Sequence, residues 1–299
     1  MNALKDKKIL VIGANGFIGG HLCHRLFSLS YNVKTLDLCS SNYIGDISDK
    51  KFVLDSLQDF NPEYIFHLAA FKERTATMDS FYDAIKVNLI GTLNILSSAK
   101  NLSGLKKIVV MGTAEEYGFN STPFSEMLRE NPVTAYSFSK VCSSHLCSLI
   151  NSIYDLPVLV LRPSIAYGPG QNIDMFIPSL IKNILLDKTF DMTSGEQTRD
   201  FIYVDDLVTA MLKAVANNML NSGIINIGSG EPVKIRDLAL KIENMLNKSS
   251  LIMLGARDYR KLEIMEYFLD NSKAKKVLNW QPLVSLEEGL KKTIEYYKR

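Results

Sequence analysis

The chain has 299 residues, of which 46% are hydrophobic and 22% charged, and its formal net charge at pH 7 is +2. This composition is typical of a globular protein with one large or two smaller domains, and it gives no indication of a nucleic-acid-binding surface. No apolar run is long enough to span a membrane, no signal peptide is apparent, and the cysteines and histidines lack metal-site spacings. We therefore expect a cytoplasmic protein with free thiols, no metal site and no membrane or nucleic-acid partner.

The N-terminal segment predicts a buried strand followed by a tight, glycine-rich turn. Residues 8–12 form an apolar run, and Gly13, Gly16 and Gly19 follow it at the spacing G-x-x-G-x-x-G. Gly13 can adopt the positive φ of a sharp turn, Gly16 lets the backbone approach a ligand, and Gly19 lets the next helix lie close to the sheet. The helix N-terminus could then bind a diphosphate. The spacing differs by one residue from the G-x-G-x-x-G fingerprint, so a turn that binds no ligand is the alternative.

Strands and helices alternate along the following residues, which predicts an α/β fold with a doubly wound parallel sheet of the Rossmann type. The pattern changes after Arg162 and Pro163, where a smaller mixed α/β lobe is expected. We assign residues 1–164 to a dinucleotide-binding domain, to which 200–228 return, and 165–299 mainly to a substrate-binding lobe. The later predicted strands are 32–36, 64–69, 107–111, 157–161, 201–203 and 224–227. The predicted helices are 82–100, 135–154, 176–185, 204–215 and 235–246, together with one that ends at residue 60 and a last one near the end of the chain. Ser48 is the predicted cap of the helix that ends at 60, and Ser285 with Glu288 forms a predicted capping box for the last helix. In the helix 82–100, Ile85, Leu89, Leu93 and Leu96 lie on one face.

An acidic residue follows the glycine turn at the distance expected for a dinucleotide site. Asp37 ends the second predicted strand, about 20 residues after the turn, where a carboxylate can accept both ribose hydroxyls of an adenosine. It would repel a 2′-phosphate, and residues 38–40 supply no arginine for one. We therefore expect NAD(H) rather than NADP(H). A strand-end aspartate that only stabilises a turn is the alternative.

The strongest catalytic signal is the pair Tyr136 and Lys140, which share one face of a predicted helix one turn apart. A phenol with an ordinary pKa near 10 is a poor base at neutral pH, and a neighbouring ammonium favours the phenolate. Thr113 lies at the end of the fourth predicted strand, where its hydroxyl can hydrogen-bond a substrate oxygen together with the phenol. Glu115 and Glu116 follow at the expected mouth of the cleft. One that faced inward could act as a base or bind a sugar hydroxyl, and solvated loop carboxylates are the alternative.

Together these motifs resemble the extended short-chain dehydrogenase/reductase family, the NAD-dependent epimerases and dehydratases of nucleotide sugars. The resemblance extends over nearly the whole chain. Besides the residues above, it includes G-D-I at 45–47, H-L-A-A at 67–70, Asn88, G-T-A-E-E-Y-G at 112–118, R-P at 162–163, residues 195–206 and N-I-G-S-G at 226–230.

The resemblance implies a role for individual residues. The implied contacts to the diphosphate are Gly13, Gly16, Phe17, Ile18 and Gly19, and those to the adenosine are Asp37 at the ribose and Asp46 and Ile47 at the adenine. Leu68, Ala69, Ala70 and Lys72 are implied along the cofactor, and Tyr136, Lys140 and Pro163 near the nicotinamide. Asn88 is implied in the cofactor site as support for the central strands. Implied catalytic residues are Thr113, Tyr136 and Lys140, with Glu115 beside them. Implied substrate contacts are Thr113 and Glu115 at the sugar and Arg199 and Arg257 at the phosphates, for which an arginine fork is well suited.

Departures from the family pattern bear on the substrate. Ile165 stands where many members have an asparagine that touches the substrate diphosphate. The 4,6-dehydratases carry an acidic pair after the catalytic threonine, whereas Ala114 precedes Glu115 here, so loss of water is disfavoured. Residues 112–118, in a short chain, look most like reductases of nucleotide-linked 4-keto-6-deoxy sugars.

We therefore expect an enzyme that transfers hydride at C4 of a nucleotide-diphosphate sugar. Reduction of a 4-keto-6-deoxyhexose is the leading expectation and 4-epimerisation with bound NAD is the alternative. A 4,6-dehydratase and a non-catalytic NAD-binding protein are less favoured. In this family the helices that correspond to 82–100 and 135–154 commonly pair, so a homodimer is expected.

Overall fold

The structure, a computed structural model, describes residue 4 and residues 6–72 and 77–299. Strands and helices alternate along these residues. The strands are β1 (Lys8–Ile12), β2 (Asn32–Asp37), β3 (Tyr43–Ile44), β4 (Tyr64–His67), β5 (Lys107–Met111), β6 (Val158–Pro163), β7 (Ile165–Tyr167), β8 (Phe190–Met192), β9 (Thr198–Tyr203), β10 (Gly223–Ile227), β11 (Pro232–Lys234) and β12 (Ile252–Leu254). The α-helices are α1 (Phe17–Ser28), α2 (Lys50–Phe60), α3 (Met78–Ala84), α4 (Gly91–Ala99), α5 (Ala135–Tyr154), α6 (Phe176–Leu185), α7 (Val204–Ala216), α8 (Ile235–Met245), α9 (Ser272–Leu278) and α10 (Leu286–Tyr297).

A seven-stranded sheet forms the larger part of the fold. Its strands lie in the order β10-β6-β5-β4-β1-β2-β3, and every neighbouring pair is parallel. From β1 the chain runs outward to β2 and β3 on one side and then to β4, β5 and β6 on the other. The order therefore reverses beside β1, and in open α/β sheets ligands bind at such a point, beyond the carboxyl ends of the strands. This confirms the predicted Rossmann-type fold class.

Alternate side chains of the buried strands contribute to two cores, one on each face of the sheet. Ile9 and Val11 of β1 pack with α1, α7 and α9, whereas Leu10 and Ile12 pack with α2, α4 and α5. Continuous apolar runs are what a strand covered on both faces requires. The run at residues 8–12 thus places the start of the chain in the centre of the molecule.

A smaller, mixed lobe follows the large sheet. It contains the sheets β11-β9-β7 and β12-β8, and α6, α8 and α10 cover its own apolar core. The chain returns to the large sheet at β10, which pairs with β6. We retain the division into residues 1–164 with 200–228, and 165–299, as a proposal. In the described ranges no helix is long and apolar enough to cross a membrane.

The helix predicted at 82–100 is not a regular α-helix. It begins earlier, at Met78, and a π-helical segment, Ile85–Ile90, separates α3 from α4. A π turn holds one residue more than an α turn, so it rotates the apolar face of the residues that follow. Leu93 is accordingly 37% exposed, although Ile95 and Leu96 are fully buried. The prediction that Leu93 lies on the apolar face of the helix is wrong for this reason.

The predicted cap of α2 is also wrong, by one residue. Asp49, not Ser48, is the N-cap, and its carboxylate accepts hydrogen bonds from the amides of Lys51 and Phe52. The Ser48 amide is instead bound by the Asp46 carboxylate at 2.8 Å, in a turn that precedes the helix. At the other end of the chain, Ser285 and Glu288 form the predicted capping box of α10.

Candidate active site

Two glycines of the first turn are required by the close approach of the backbone there. Gly13 has φ of +85°, and a Cβ added to it would lie 2.4 Å from the amide nitrogen of Ala69. A Cβ on Gly19 would lie 2.1 Å from the carbonyl oxygen of Gly13. Gly16 has more room, with its nearest neighbour at 3.4 Å. Gly13 and Gly19 therefore hold α1 against the turn, while Gly16 leaves its backbone accessible.

A cleft of about 390 Å³ lies above this turn, at the carboxyl ends of the strands. Most of the predicted cofactor residues line it, namely Gly13, Gly16, Phe17, Ile18, Gly19, Asp37, Asp46, Ile47, Leu68, Ala69, Ala70, Lys72, Tyr136 and Lys140. It is also lined by residues that were not among the predicted cofactor contacts, namely Leu36, Leu38, Gly45, Phe71, Val87 and Met111. The glycine turn and the Tyr136/Lys140 pair, more than 100 residues apart in sequence, thus face one cavity.

Two predicted cofactor residues do not line the cleft. Asn88 is buried, and its amide side chain accepts the N–H of Phe71 at 2.7 Å and donates to the Phe71 carbonyl and the Ser139 hydroxyl at 2.8 Å. It therefore joins the segment after β4 to α5. Pro163 is buried at the end of β6, opposite Ile227 of β10. Both residues support the walls of the site.

Asp37 is fixed by the glycine turn itself. Its carboxylate accepts the N–H of Asn15 at 2.8 Å and that of Leu38 at 2.7 Å, one on each oxygen. The Asn15 side chain in turn donates to the Cys39 carbonyl. Each carboxylate oxygen keeps acceptor capacity for an external hydroxyl. Asn15 was not among the predicted site residues, although a short amide side chain between two glycines is a signal for such a role.

The loop that contains Asp46 and Ile47, which is predicted to contact adenine, is hydrogen-bonded to α4. Asn94 donates to the carbonyls of Ile47 and Ser48 at 3.0 and 3.1 Å. Gly91 lies directly under Ile47, and a Cβ there would come within 2.6 Å of the isoleucine side chain. Asn94 was also missed, although a buried asparagine within an apolar helix face is itself a signal, because its amide needs partners.

Thr113 and Lys140 are oriented by neighbouring backbone groups. The Lys140 ammonium is buried and donates to the Met111 carbonyl at 2.7 Å. Burial lowers the pKa of Lys140 to about 8. The hydroxyl oxygen of Thr113 accepts the Glu115 amide at 3.2 Å, which leaves the hydroxyl proton for another acceptor. Tyr136 is half-buried and lines the cleft beside Lys140.

The two adjacent glutamates occupy different environments. Glu116 is fully buried and forms an ion pair with Arg162 at 2.6 Å, so the expectation that it lies at the cleft mouth is wrong. Glu115 is half-buried on the same short turn. Of the two, only Glu115 keeps the exposure that contact with a sugar would require.

The predicted phosphate-binding arginines lie in the smaller lobe. The Arg199 guanidinium pairs with the Glu263 carboxylate and donates to the Ile264 carbonyl at 2.8 Å. Arg257 has an exposed side chain, and its backbone amide donates to the Met192 carbonyl at 3.2 Å. Neither arginine lines the cleft described above, so their binding to substrate phosphates stays a prediction.

The cleft fits a nicotinamide dinucleotide. Its glycine turn leads into the N-terminus of α1, where backbone N–H groups and the helix dipole favour a diphosphate. The Asp37 carboxylate provides acceptors for ribose hydroxyls at the end of β2. Among the described residues, no group of three or more His, Cys, Asp or Glu side chains could hold a metal ion.

Comparison with known proteins shows the family. Residues 9–228 match the model of the NAD dependent epimerase/dehydratase family, and the chain belongs to it. The UDP-glucose 4-epimerase of Mycolicibacterium smegmatis is 31% identical over 324 residues, which cover 97% of this chain and 98% of that protein. The dTDP-glucose 4,6-dehydratase of Haemophilus influenzae is 29% identical over 330 residues, which cover 97% of each chain.

Solved structures agree with this assignment. The UDP-glucose 4-epimerase of Thermotoga maritima superposes with a TM-score of 0.89 at 30% identity, over 97% of this chain and 98% of that one. A UDP-glucuronic acid 4-epimerase from Bacillus cereus, in complex with UDP-glucuronic acid and NAD, gives a TM-score of 0.85 at 30% identity, over 97% and 99%. The protein is therefore an enzyme of the NAD-dependent epimerase/dehydratase family, and its cofactor is NAD(H), as predicted.

Proposed function

We propose that the protein is a 4-epimerase of a nucleotide-diphosphate hexose that uses bound NAD. The observation that carries this proposal is the position of Tyr136 and Lys140 on the cofactor cleft, with Thr113 two residues beyond the end of β5. Ala114, fully buried, follows Thr113 and provides no acid for the loss of water. Relatives named as UDP-sugar 4-epimerases align along nearly the whole chain, which supports UDP as the nucleotide.

Three side chains have distinct roles in the proposed reaction. Tyr136 accepts the proton of the C4 hydroxyl and later returns it, and Thr113 donates a hydrogen bond to the same oxygen. Lys140, held on the Met111 carbonyl, favours the phenolate form of Tyr136 by its charge. The glycine turn and Asp37 would hold the cofactor. When bound, NAD supplies an acceptor and a donor of hydride at C4.

A reductase of a nucleotide-linked 4-keto-6-deoxyhexose is the second candidate. Residues 112–118, which resemble such reductases, and the alanine at position 114 favour it. The same three side chains serve this reaction, with Tyr136 donating its proton to the carbonyl oxygen. The two candidates differ in whether NADH is consumed.

The consumption of NADH distinguishes the two reactions. We expect the purified protein to convert UDP-glucose or UDP-glucuronic acid into its C4 epimer, detected by NMR, with no net change in NADH absorbance. Stoichiometric loss of NADH with a nucleotide-linked 4-keto-6-deoxy sugar, and no epimer, would instead establish the reductase. A thermal-shift comparison of UDP, dTDP, GDP and CDP sugars identifies the nucleotide, since a true ligand raises the melting temperature by mass action.

We propose further that two chains pair through the outer faces of α3, the π-helical segment that follows it, α4 and α5. These faces expose Tyr82, Ile90, Leu93, Leu149 and Ile153 to solvent. A large exposed apolar patch on a folded protein commonly marks an interface.

Light scattering tests the dimer. The wild type is expected at twice the mass of one chain at micromolar concentration, and Leu149→Glu with Ile153→Glu at the mass of one, because two buried charges per chain oppose association. Leu240→Glu on α8, an exposed leucine outside the proposed interface, is the control. A monomeric wild type would exclude the proposed dimer.

A further inference from the structure

The buried carboxylate of Glu116 lies directly behind the candidate catalytic residues, and the mechanism above does not use it. Its Oε1 accepts the N–H of Thr113 at 2.9 Å. Its Oε2 accepts the Ser144 hydroxyl at 2.8 Å and the Nε and Nη2 atoms of Arg162 at 2.8 and 2.6 Å. A buried charge is tolerated only when it is paired and hydrogen-bonded, and these four contacts satisfy it.

The partners of Glu116 come from three different parts of the fold. Thr113 follows β5, Arg162 belongs to β6, and Ser144 belongs to α5. On α5, Tyr136, Lys140 and Ser144 succeed each other at intervals of four residues, so they share one face of the helix. The carboxylate therefore connects the backbone of Thr113 with the helix face that carries the phenol and the ammonium.

The backbone in front of Glu116 is shaped to admit its carboxylate. A Cβ on Gly112 would lie 2.7 Å from Oε1 of Glu116 and 3.1 Å from Cγ of Arg162. Only glycine leaves this space, and the residue directly follows β5 and precedes Thr113. Glu116 and Thr113 also form a capping box at this turn. The Thr113 hydroxyl accepts a backbone amide of the turn, and the Glu116 carboxylate accepts the backbone amide of Thr113.

The charge of Arg162 is shared between two carboxylates. Its Nη2 also contacts Glu130 at 2.6 Å, and Glu130 extends to the exposed His145 at 3.2 Å. The guanidinium carbon lies 4.7 Å from the centre of the Tyr117 ring. Arg162 thus keeps one anionic partner when Glu116 is neutralised, so a Glu116 variant does not leave it unpaired.

We propose that Glu116 is a positioning residue of the reaction, which sets the hydroxyl of Thr113 against Tyr136 and Lys140 by joining Thr113 to α5 through Ser144. Glu116 is fully buried and does not line the cofactor cleft. The inference rests on the function proposed above. A misplacement of about 1 Å in an active site can cost about 100-fold in rate. Loss of the hydrogen bond between Glu116 and Ser144 is therefore expected to affect turnover.

Ser144 offers a test that leaves the ion pair intact. We expect Ser144→Ala to lower kcat by about tenfold to 100-fold, with KM and the affinity for NAD unchanged. Ser143→Ala is the matched control, because both serines are 2% exposed and adjacent on α5, whereas Ser143 donates to the Asn88 and Ser139 carbonyls. The control should retain kcat within about twofold at a similar melting temperature. Equal kcat values for the two variants would overturn the proposal.

A second measurement requires no turnover. The Glu116 carboxylate raises the pKa of Lys140 against the larger opposing effect of burial, which leaves it at about 8. NMR of labelled lysine in the NAD-loaded protein should therefore show a lower pKa for Lys140 in Glu116→Gln and the wild-type value in Glu130→Gln. An unchanged value in Glu116→Gln would refute the contact between Glu116 and this helix face. If the wild type converts no nucleotide hexose, the proposed function fails, whereas this titration still tests whether the Glu116 charge acts on the helix face that carries Lys140.

Discussion

Replacement of Tyr136 by phenylalanine is expected to lower kcat about 100- to 10,000-fold, the range typical of a lost acid–base group. The substitution removes the hydroxyl that exchanges a proton with the sugar oxygen, but it keeps the aromatic ring that lines the cleft. The affinity for NAD, measured by calorimetry, should change little, because the glycine turn and Asp37 are untouched. Product formation measured by NMR gives kcat.

Tyr296→Phe provides the control for this experiment. Tyr296 is an exposed tyrosine of α10 outside the cleft and outside the proposed dimer interface, so the same loss of one hydroxyl should leave kcat unchanged. Full activity of Tyr136→Phe would contradict the proposed role of the phenol. Loss of NAD binding in the variant would indicate a structural role instead.

The large sheet and its cofactor turn were predictable because their signals are local. A buried parallel strand needs a continuous apolar run, and a sharp turn at its end needs glycine, so residues 8–19 carry both signals without any distant partner. The same holds for α5, whose predicted bounds, 135–154, are those observed. The capping box of Ser285 and Glu288 also depends only on residues three positions apart.

The errors arise where a distant contact or an irregular hydrogen bond decides the outcome. Glu115 and Glu116 are chemically identical, and Arg162, which lies 46 residues beyond Glu116, determines which of them is buried. Leu93 fits a regular helix until the π-helical segment before α4 rotates the apolar face. Hydrophobic periodicity contains no information on either feature.

The placement of Arg199 and Arg257, the predicted phosphate contacts, was the least predictable for the same reason. Arg199 forms its ion pair with Glu263, 64 residues away, and Arg257 extends from a loop whose path depends on contact with β8. Motifs identify the residue types there, whereas the packing of the smaller lobe decides where they point.

The close approach of α1 to the glycine turn should make the protein intolerant of even one methyl group at Gly19. Gly19→Ala would place a Cβ 2.1 Å from the Gly13 carbonyl oxygen and 2.9 Å from the Cα of Ala14, both of them backbone atoms. Since no side chain can move aside, α1 must shift, at a cost of about 1–3 kcal/mol in the free energy of unfolding. The shift displaces the backbone N–H groups at the N-terminus of α1, so the affinity for NAD should fall at least about tenfold.

Gly20→Ala is the control for Gly19→Ala, because it adds the same methyl group to the next residue of α1. Gly20 lies in the same helix, but a Cβ there would have its nearest neighbour at 3.9 Å. Gly20→Ala should therefore increase the free energy of unfolding by up to about 1 kcal/mol, because alanine is the better helix former. Chemical denaturation should thus show a loss of stability for Gly19→Ala and a gain for Gly20→Ala. Calorimetry with NAD should show a loss of affinity only for Gly19→Ala. Equal behaviour of the two would mean that α1 is free to move from the turn, and that Gly19 is not required for the dinucleotide site.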